Sequence, residues 1–269
     1  MRVEVVADGM GFTEGPVALS DGRVALVSIS HGCVYVVAPD GSRERIVTGG
    51  GPNGLAVGAE GELYVAQNGG IWGGSGPAPA GVQVIRDGRV EYVVDDLGAP
   101  NDLVLGPDGR LWVTDPVAEF SGQRPQDARP GRVYSVDVAS GSALLELDEG
   151  PVFVNGLAFS EDGSELLVTV TLAMQLVAYS VTASGLGEAR TVHTFGSGAN
   201  PDGMVRSGQH FWVALLAADR LDLVDLDGDV RDSVALPAGS LPTNVCLDHD
   251  GTGLYVTAGF AQALLHVTP

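Results

Sequence analysis

The sequence predicts an all-β fold: a six-bladed β-propeller whose ring is closed by an N-terminal strand joining the last blade. Three observations carry that expectation. A strand–turn–strand pattern recurs six times, each opened by a short polar residue: Glu14 in EGPVALSDGRVALVS, Asn53 in NGLAVGAEGELYVAQ, Asn101 in NDLVLGPDGRLWVTD, Asn155 in NGLAFSEDGSELLVTV, Asp202 in DGMVRSGQHFWVAL and Asn244 in NVCLDHDGTGLYVTA. The openers are separated by 39, 48, 54, 47 and 42 residues, the period of a four-stranded propeller blade. Finally, the sixth repeat stops one strand early, while Val3–Ala7 at the other end belongs to no repeat.

In blade one the inner strand is PVAL after Glu14, and the chain turns at Asp21-Gly22 and returns as VALVS. Asp-Gly supplies the positive φ that a tight hairpin needs. The turn lies seven residues after the opener there and at Glu60-Gly61, Asp108-Gly109 and Asp162-Gly163, and slightly earlier at Ser207-Gly208 and Asp250-Gly251. This spacing makes the six openers equivalent. The second strands (Leu63–Ala66, Leu111–Thr114, Leu166–Thr169, Phe211–Ala214, Leu254–Thr257) are unbroken apolar runs, as in strands covered on both faces. Third and fourth strands follow as VYVVAP and RERIVT, VQVIRDG and RVEYVVDD, RVYSVDV and ALLELD, LVAYSV and ARTVHTF, then RLDLVDLDG and VRDSVALP. Blade six has only LLHVTP, so Val3–Ala7 is expected to supply its outermost strand and remove the open edge.

The repeats run to the C-terminus without a linker, so residues 1–269 read as one domain. Acids outnumber bases 34 to 14, the net charge is −20, and every base is Arg. Phosphate backbones and anionic membranes need positive charge and are poor partners for such a surface. The absence of Lys excludes Schiff-base chemistry on this chain. MRVEVVADGM lacks the apolar run of a secretory leader, and no segment reaches membrane-spanning length, so a cytoplasmic location is expected. Cys33 and Cys246 lie in strand patterns of different blades and read as small buried hydrophobes. The expected partner is a small-molecule substrate, and the expected state a monomer or weak homodimer.

Inner strands line a propeller's axis, so their first residues gather at one mouth of the channel. Six openers rich in carboxylate and carboxamide oxygen suit a hard divalent cation: calcium first, magnesium or manganese next. Zinc prefers His or Cys, which no opener is, and would be a substitute only in vitro.

FTEGP, PNDLVLGPDGRLWVTD, NGLAFSEDG and NPDGM resemble the gluconolactonase/regucalcin-like (senescence marker protein) family over essentially the whole chain. The resemblance implies a six-bladed propeller with one divalent metal held by Glu14, Asn101, Asn155 and Asp202. It also implies that Asp202 acts as catalytic base on a water beside a metal-polarised carbonyl, in the ring-opening hydrolysis of a lactone or ester. Direct attack by the carboxylate is the rival mechanism. Asn53, Asn101, Asn244, His31, Trp72, Phe153 and Met204 are expected to face the substrate, and the resemblance adds Glu119. Two departures bear on substrate. Sugar-lactone members carry an Arg where Ala99 stands, and VTVTL, with Val170 and Leu172, replaces a more polar rim. With Phe12, Phe120, Met174 and Phe260 near the same strand ends, these changes point to a substrate less polar than a simple sugar lactone. A non-hydrolytic cyclase, isomerase or lyase at the same cation, or a non-enzymatic binding propeller, are the alternatives the sequence leaves open.

Overall fold

The computed structural model describes residues 1–116 and 129–269. Six four-stranded antiparallel sheets stand as blades around a central axis. Blade one comprises Thr13–Ala18, Val24–Ser28, Cys33–Val37 and Arg43–Val47; blade two Pro52–Val57, Leu63–Gln67, Gly81–Arg86 and Arg89–Val94. Blade three comprises Leu103–Leu105, Leu111–Asp115, Gly131–Val136 and Ala143–Gly150; blade four Val154–Phe159, Glu165–Val170, Gln175–Thr182 and Gly185–Thr194. Blade five is built from Pro201–Ser207, His210–Leu215, Arg220–Asp225 and Val230–Ala235. Blade six takes Pro242–Leu247, Leu254–Ala258 and Ala263–Thr268, and the N-terminal Arg2–Ala7 completes it. That closing strand pairs antiparallel with the last one from Arg2 against Thr268 to Ala7 against Leu264, as the spare strand in the sequence requires. Among the described residues no helix is long and apolar enough to cross a membrane.

Burial follows the apolar runs. In blade one the second and third strands are buried throughout, whereas the outermost, RERIV, is mostly exposed. Six apolar clusters fill the six gaps between neighbouring blades. The cluster that seals the ring packs Met10, Leu26, Cys33, Tyr35 and Leu264 between the last blade and the first. Every gap is therefore dry, which is the main stabilising term of a closed ring.

Five inner strands carry a β-bulge at one level, after Glu14, Pro52, Val154, Pro201 and Pro242. A bulge re-aims side chains at a strand end, and here it turns the openers towards the axis. Registering each inner strand on its hairpin shows which residues are equivalent. Ala18 pairs Val24, Val57 pairs Leu63, Leu105 pairs Leu111, Phe159 pairs Leu166, Arg206 pairs Phe211 and Leu247 pairs Leu254. Counting back four places from each gives Glu14, Asn53, Asn101, Asn155 and Asp202, but Thr243 in blade six. Asn244 is one residue past its expected place. Thr243 is buried and donates to the carbonyl of Thr13, so blade six spends its opener fastening itself to blade one.

The next residue in each blade is Gly15, Gly54, Asp102, Gly156, Gly203 or Asn244. At this level the strands come closest to one another. A Cβ on Gly203 would lie 2.0 Å from Cγ of Asn244, and one on Gly15 (φ +44°) 2.6 Å from the carbonyl oxygen of Asn53. Only Gly fits at such an approach. Gly203→Ala is accordingly expected to cost about 2–3 kcal/mol of unfolding free energy, the usual penalty of overpacking a site that cannot give. Denaturant titration measures this directly, and an unchanged midpoint would contradict the close approach. Asp102 and Asn244, the two residues at this level with side chains, come from opposite blades and meet across the axis, Nδ2 of Asn244 donating to Oδ2 of Asp102 at 3.2 Å.

Candidate metal centre

The Asp102–Asn244 bridge divides the channel. On its far side lies a hollow of about 260 Å³ lined by Val17, Leu55, Leu105, Leu157, Met204 and Cys246. On its near side a cavity of about 490 Å³ opens at the mouth where the inner strands begin. Glu14, Asn53, Asn101, Asn155 and Asp202 form the floor of this cavity, each at least nine-tenths buried. Phe12, Ile29, Trp72, Phe153, Leu172 and Leu216 form its walls. A larger groove of about 800 Å³ lies between the outer turns of blades four and five; of its described lining acids only Asp225 is buried, and Arg231 pairs with it.

Local bonds fix the floor residues. Thr114 and Thr169, on the second strands of blades three and four, donate to the carbonyls of Asn155 and Asp202 at 2.7 and 2.6 Å. Each therefore holds the opener of the following blade. Thr171 donates to the carbonyl of Pro201 at 2.8 Å and accepts from Nδ2 of Asn155 at 3.0 Å. That contact settles which way the Asn155 carboxamide faces, leaving its oxygen as the free acceptor. The main-chain N–H of Asn101 donates to Thr114, and its carbonyl accepts from Gly54 in blade two.

Electrostatically the floor consists of acids and carboxamides. Among the described lining residues there is no Arg or His. Burial first, then the charges of Asp202 and Asp102, push the Glu14 carboxyl well above the usual range, against contrary hydrogen bonds from Gly15 N–H and the Asn244 amide. Burial pushes Asp202 up to about 8; contact with the Asn155 amide pulls it down and the Asp102 charge raises it. Burial likewise raises Asp102 to about 6, opposed by the Leu103 N–H and the Asn244 amide. Carboxyls raised in this way lack a positive partner.

A divalent cation fits this set. Oδ1 of Asn53 is shut off from solvent and has no hydrogen-bond partner among the described residues. An unpaired buried acceptor is rare and costs about 1–3 kcal/mol. In a cavity with two acids and no cationic side chain among its described lining residues, it has the surroundings of a group that answers a positive charge. Among the described residues no three His, Cys, Asp or Glu side chains are grouped to hold a metal by themselves. A cation held here would take carboxamide oxygens from Asn101 and Asn155 beside the carboxylates of Glu14 and Asp202, a hard-oxygen set of the calcium type.

The structure brings Glu14, Asn53, Asn101, Asn155, Asp202, Trp72 and Phe153 together in one cavity. Three other expected residues are not among those it places there. Asn244 sits on the bridge below, because blade six carries its bulge one residue early. Met204, two places past Asp202, turns to the far side and into the core between blades four and five. The ring of His31 is engaged by the Tyr35 hydroxyl at 3.0 Å, and Ser30 rather than His31 lines the wall. Glu119 and Phe120 lie outside the described residues. Ala99 is fully buried, its N–H held by Asp115, so nothing projects from that place into the cavity. Val170 is core, whereas Leu172 does form wall. Both cysteines are free, and burial pushes the Cys246 thiol up to about 12. Sequence reasoning missed Asp102 as a third axial acid, although it stands in the PND string, and missed the threonines, whose signal is a Thr near the end of each of these second strands.

Comparison with known proteins adds a family and a set of folds. The family described as "SMP-30/Gluconolactonase/LRE-like region" matches residues 12–260. Among curated proteins none matches the sequence. A gluconolactonase from Xanthomonas campestris superposes with a TM-score of 0.82 at 22% identity, covering 99% of this chain and 89% of that one. A calcium-binding regucalcin from Agrobacterium tumefaciens gives 0.80 at 18% identity, covering 98% and 92%. A luciferin-regenerating enzyme gives 0.82 at 17% identity, covering 100% and 95%.

Proposed function

The chain belongs to the SMP-30/gluconolactonase/LRE-like family, and from that premise we propose that it is a divalent-cation-dependent hydrolase that opens a small lactone or ester. One observation carries the reading: five buried oxygen-bearing side chains, with no base among them, floor a cavity whose walls are apolar. The solved gluconolactonase and regucalcin of this fold support it.

Glu14, Asn101, Asn155 and Asp202 would hold the cation. Bound there, it would supply the positive charge that polarises an acyl oxygen. The apolar walls exclude bulk water and orient the acyl group over the floor. Asp202 would take a proton from the attacking water. As that water's oxygen bonds to the acyl carbon, the ring C–O bond breaks and the leaving oxygen takes up a proton, giving a hydroxy acid. Without the cation burial holds Asp202 near 8; positive charge beside it would bring that value down. Thr169 holds the Asp202 main chain and the Asn155 amide its carboxylate. The missing Arg at Ala99 and the aromatic walls favour a substrate less polar than a sugar lactone.

Turnover in ¹⁸O-water tests the chemistry. Hydrolysis places one heavy oxygen in the product carboxyl, and an unlabelled product of unchanged mass would assign the site to a non-hydrolytic reaction instead.

A further inference from the structure

We propose that Trp72 and Phe153 form a site for a flat, uncharged ring on the substrate, the indole N–H of Trp72 donating to a neutral oxygen carried by that ring; this rests on the hydrolase reading above. Trp72 lies in NGGIWGGSGPAPA, the connection from Asn68 to Ala80 between the second and third strands of blade two. Gly, Pro, Ala and Ser dominate that segment, and a large aromatic there has no strand pattern to serve. The base of the connection is pinned, Ser75 N–H donating to the Gly50 carbonyl at 2.8 Å and Gly50 N–H to the Gly76 carbonyl at 3.2 Å. A Cβ on Gly74 would come within 2.1 Å of the Gly50 oxygen, so the base fits only as glycine. From it a tight turn closes by Gly73 N–H on the Gly70 carbonyl, carrying Ile71 exposed on the outside and Trp72 in the cavity wall.

Phe153 completes the site: its ring centroid lies 5.5 Å from that of Trp72, the planes inclined at 45°, so the two rings touch and the substrate ring packs against the pair rather than between them. The Phe153 backbone has φ +63°, left-handed for a bulky residue. Gly or Asn would adopt that conformation at little cost, whereas an aromatic does not. Asn200 and Leu241, at the same place in blades five and six, share the conformation (φ +51° and +45°), so the entry into the inner strand imposes it and holds the Phe153 ring beside the cavity. The Trp72 Nε1–H is shut off from solvent and has no acceptor among the described residues. A buried donor left unpaired is uncommon, and a ligand oxygen would complete it. The charge preference of the walls follows: among the described lining residues the ionisable groups are Glu14 and Asp202, both on the floor, and none is cationic, so a charged group on the ring itself would find no partner there. A cavity of about 490 Å³ accommodates a fused two-ring molecule.

Lactams resist hydrolysis and so report binding alone. Calorimetry on the calcium-loaded protein with 3,4-dihydroquinolin-2-one, its saturated octahydro counterpart, and a series bearing one methoxy group at each ring carbon tests the site. The aryl lactam is expected to bind about tenfold tighter than the saturated one, as offset aromatic pairs allow. At least one methoxy derivative should gain about fivefold more, the worth of one hydrogen bond to a neutral acceptor. Trp72→Phe keeps the ring and removes the N–H, so it should erase the methoxy gain and keep the aryl preference. Phe153→Leu should erase the aryl preference. Thermal unfolding checks that both variants are folded. Equal binding of aryl and saturated lactams, or a methoxy ranking unchanged in Trp72→Phe, overturns the proposal. Since no lactam is turned over, these preferences can hold in a protein that hydrolyses no lactone, and lactone hydrolysis can persist where the preferences fail.

Discussion

Asp202→Asn is expected to lower kcat for lactone hydrolysis by about a thousandfold or more and to leave the propeller folded. Two losses combine. The carboxamide cannot accept a proton from water, and general-base assistance is worth about 10²–10⁴-fold. It also removes one of the two carboxylates that face the cation, weakening binding, so rates must be compared at saturating calcium. The fold is expected to tolerate the change because Asn is nearly the shape of Asp and Thr169 grips the main chain, not the side chain. Without cation the variant should even be the more stable protein in alkaline solution, since it has no buried charge to form. Initial rates over a calcium titration separate the two roles. If excess calcium returned the full wild-type rate, Asp202 would be a ligand only, and the base would have to be sought elsewhere.

Chelator-treated protein is expected to lose stability as pH rises from about 4 to about 8, and calcium to abolish most of that loss. Glu14, Asp102 and Asp202 all have folded-state values above those of the unfolded chain, Asp102 at about 6 and Asp202 at about 8. Between the two values the folded state holds protons that the unfolded state has released, so stability falls with pH through that window. Asp162, an exposed turn residue held down to about 2 by Ser164 and Ser160, finishes titrating below the window and does not mask it. At roughly 1.4 kcal/mol per pH unit of separation, the three acids together are expected to remove several kcal/mol by pH 8. A cation at about a hundred times its Kd adds about 2.7 kcal/mol, and its affinity should rise with pH because binding displaces those protons. Guanidinium titrations at pH 5 and pH 8, each with chelator and with calcium, measure the four values. A calcium increment no larger at pH 8 than at pH 5 would contradict an acid-floored cation site.

The repeat made the ring readable. Six hairpins with glycine turns fixed the number of blades, and the imbalance between a missing last strand and a spare first one fixed the closure, which Arg2–Ala7 carries out against Ala263–Thr268. Five openers could be found because Asn or an acid before Gly or Asp marks the start of the inner strand, and in four of these the bulge as well. Blade six misled the reading. Its turn falls six residues after Asn244 rather than seven, a hint that the true opener was Thr243, but a short hairpin looks the same in sequence. Met204 was misplaced for a related reason. Beside a bulge the alternation of faces is broken, so nearness to Asp202 in the chain did not mean nearness to the cavity. His31 could be drawn to the mouth or to its neighbours, and the Tyr35 hydroxyl decided it.

The amino-acid sequence by itself determined the blade count, the circular closure and which residue types would meet at the axis, because these depend on local periodicity and turn chemistry repeated six times. The tertiary structure alone decided which atoms face the cavity: which way the Asn155 amide points, that Asn53 is left with an unpaired oxygen, that Asp102 and Asn244 bar the channel, and that Trp72 and Phe153 stand side by side. Those outcomes are set by contacts between strands 16 to 142 residues apart in the chain, where one bulge shifts a side chain from one face to the other, and no local pattern encodes them.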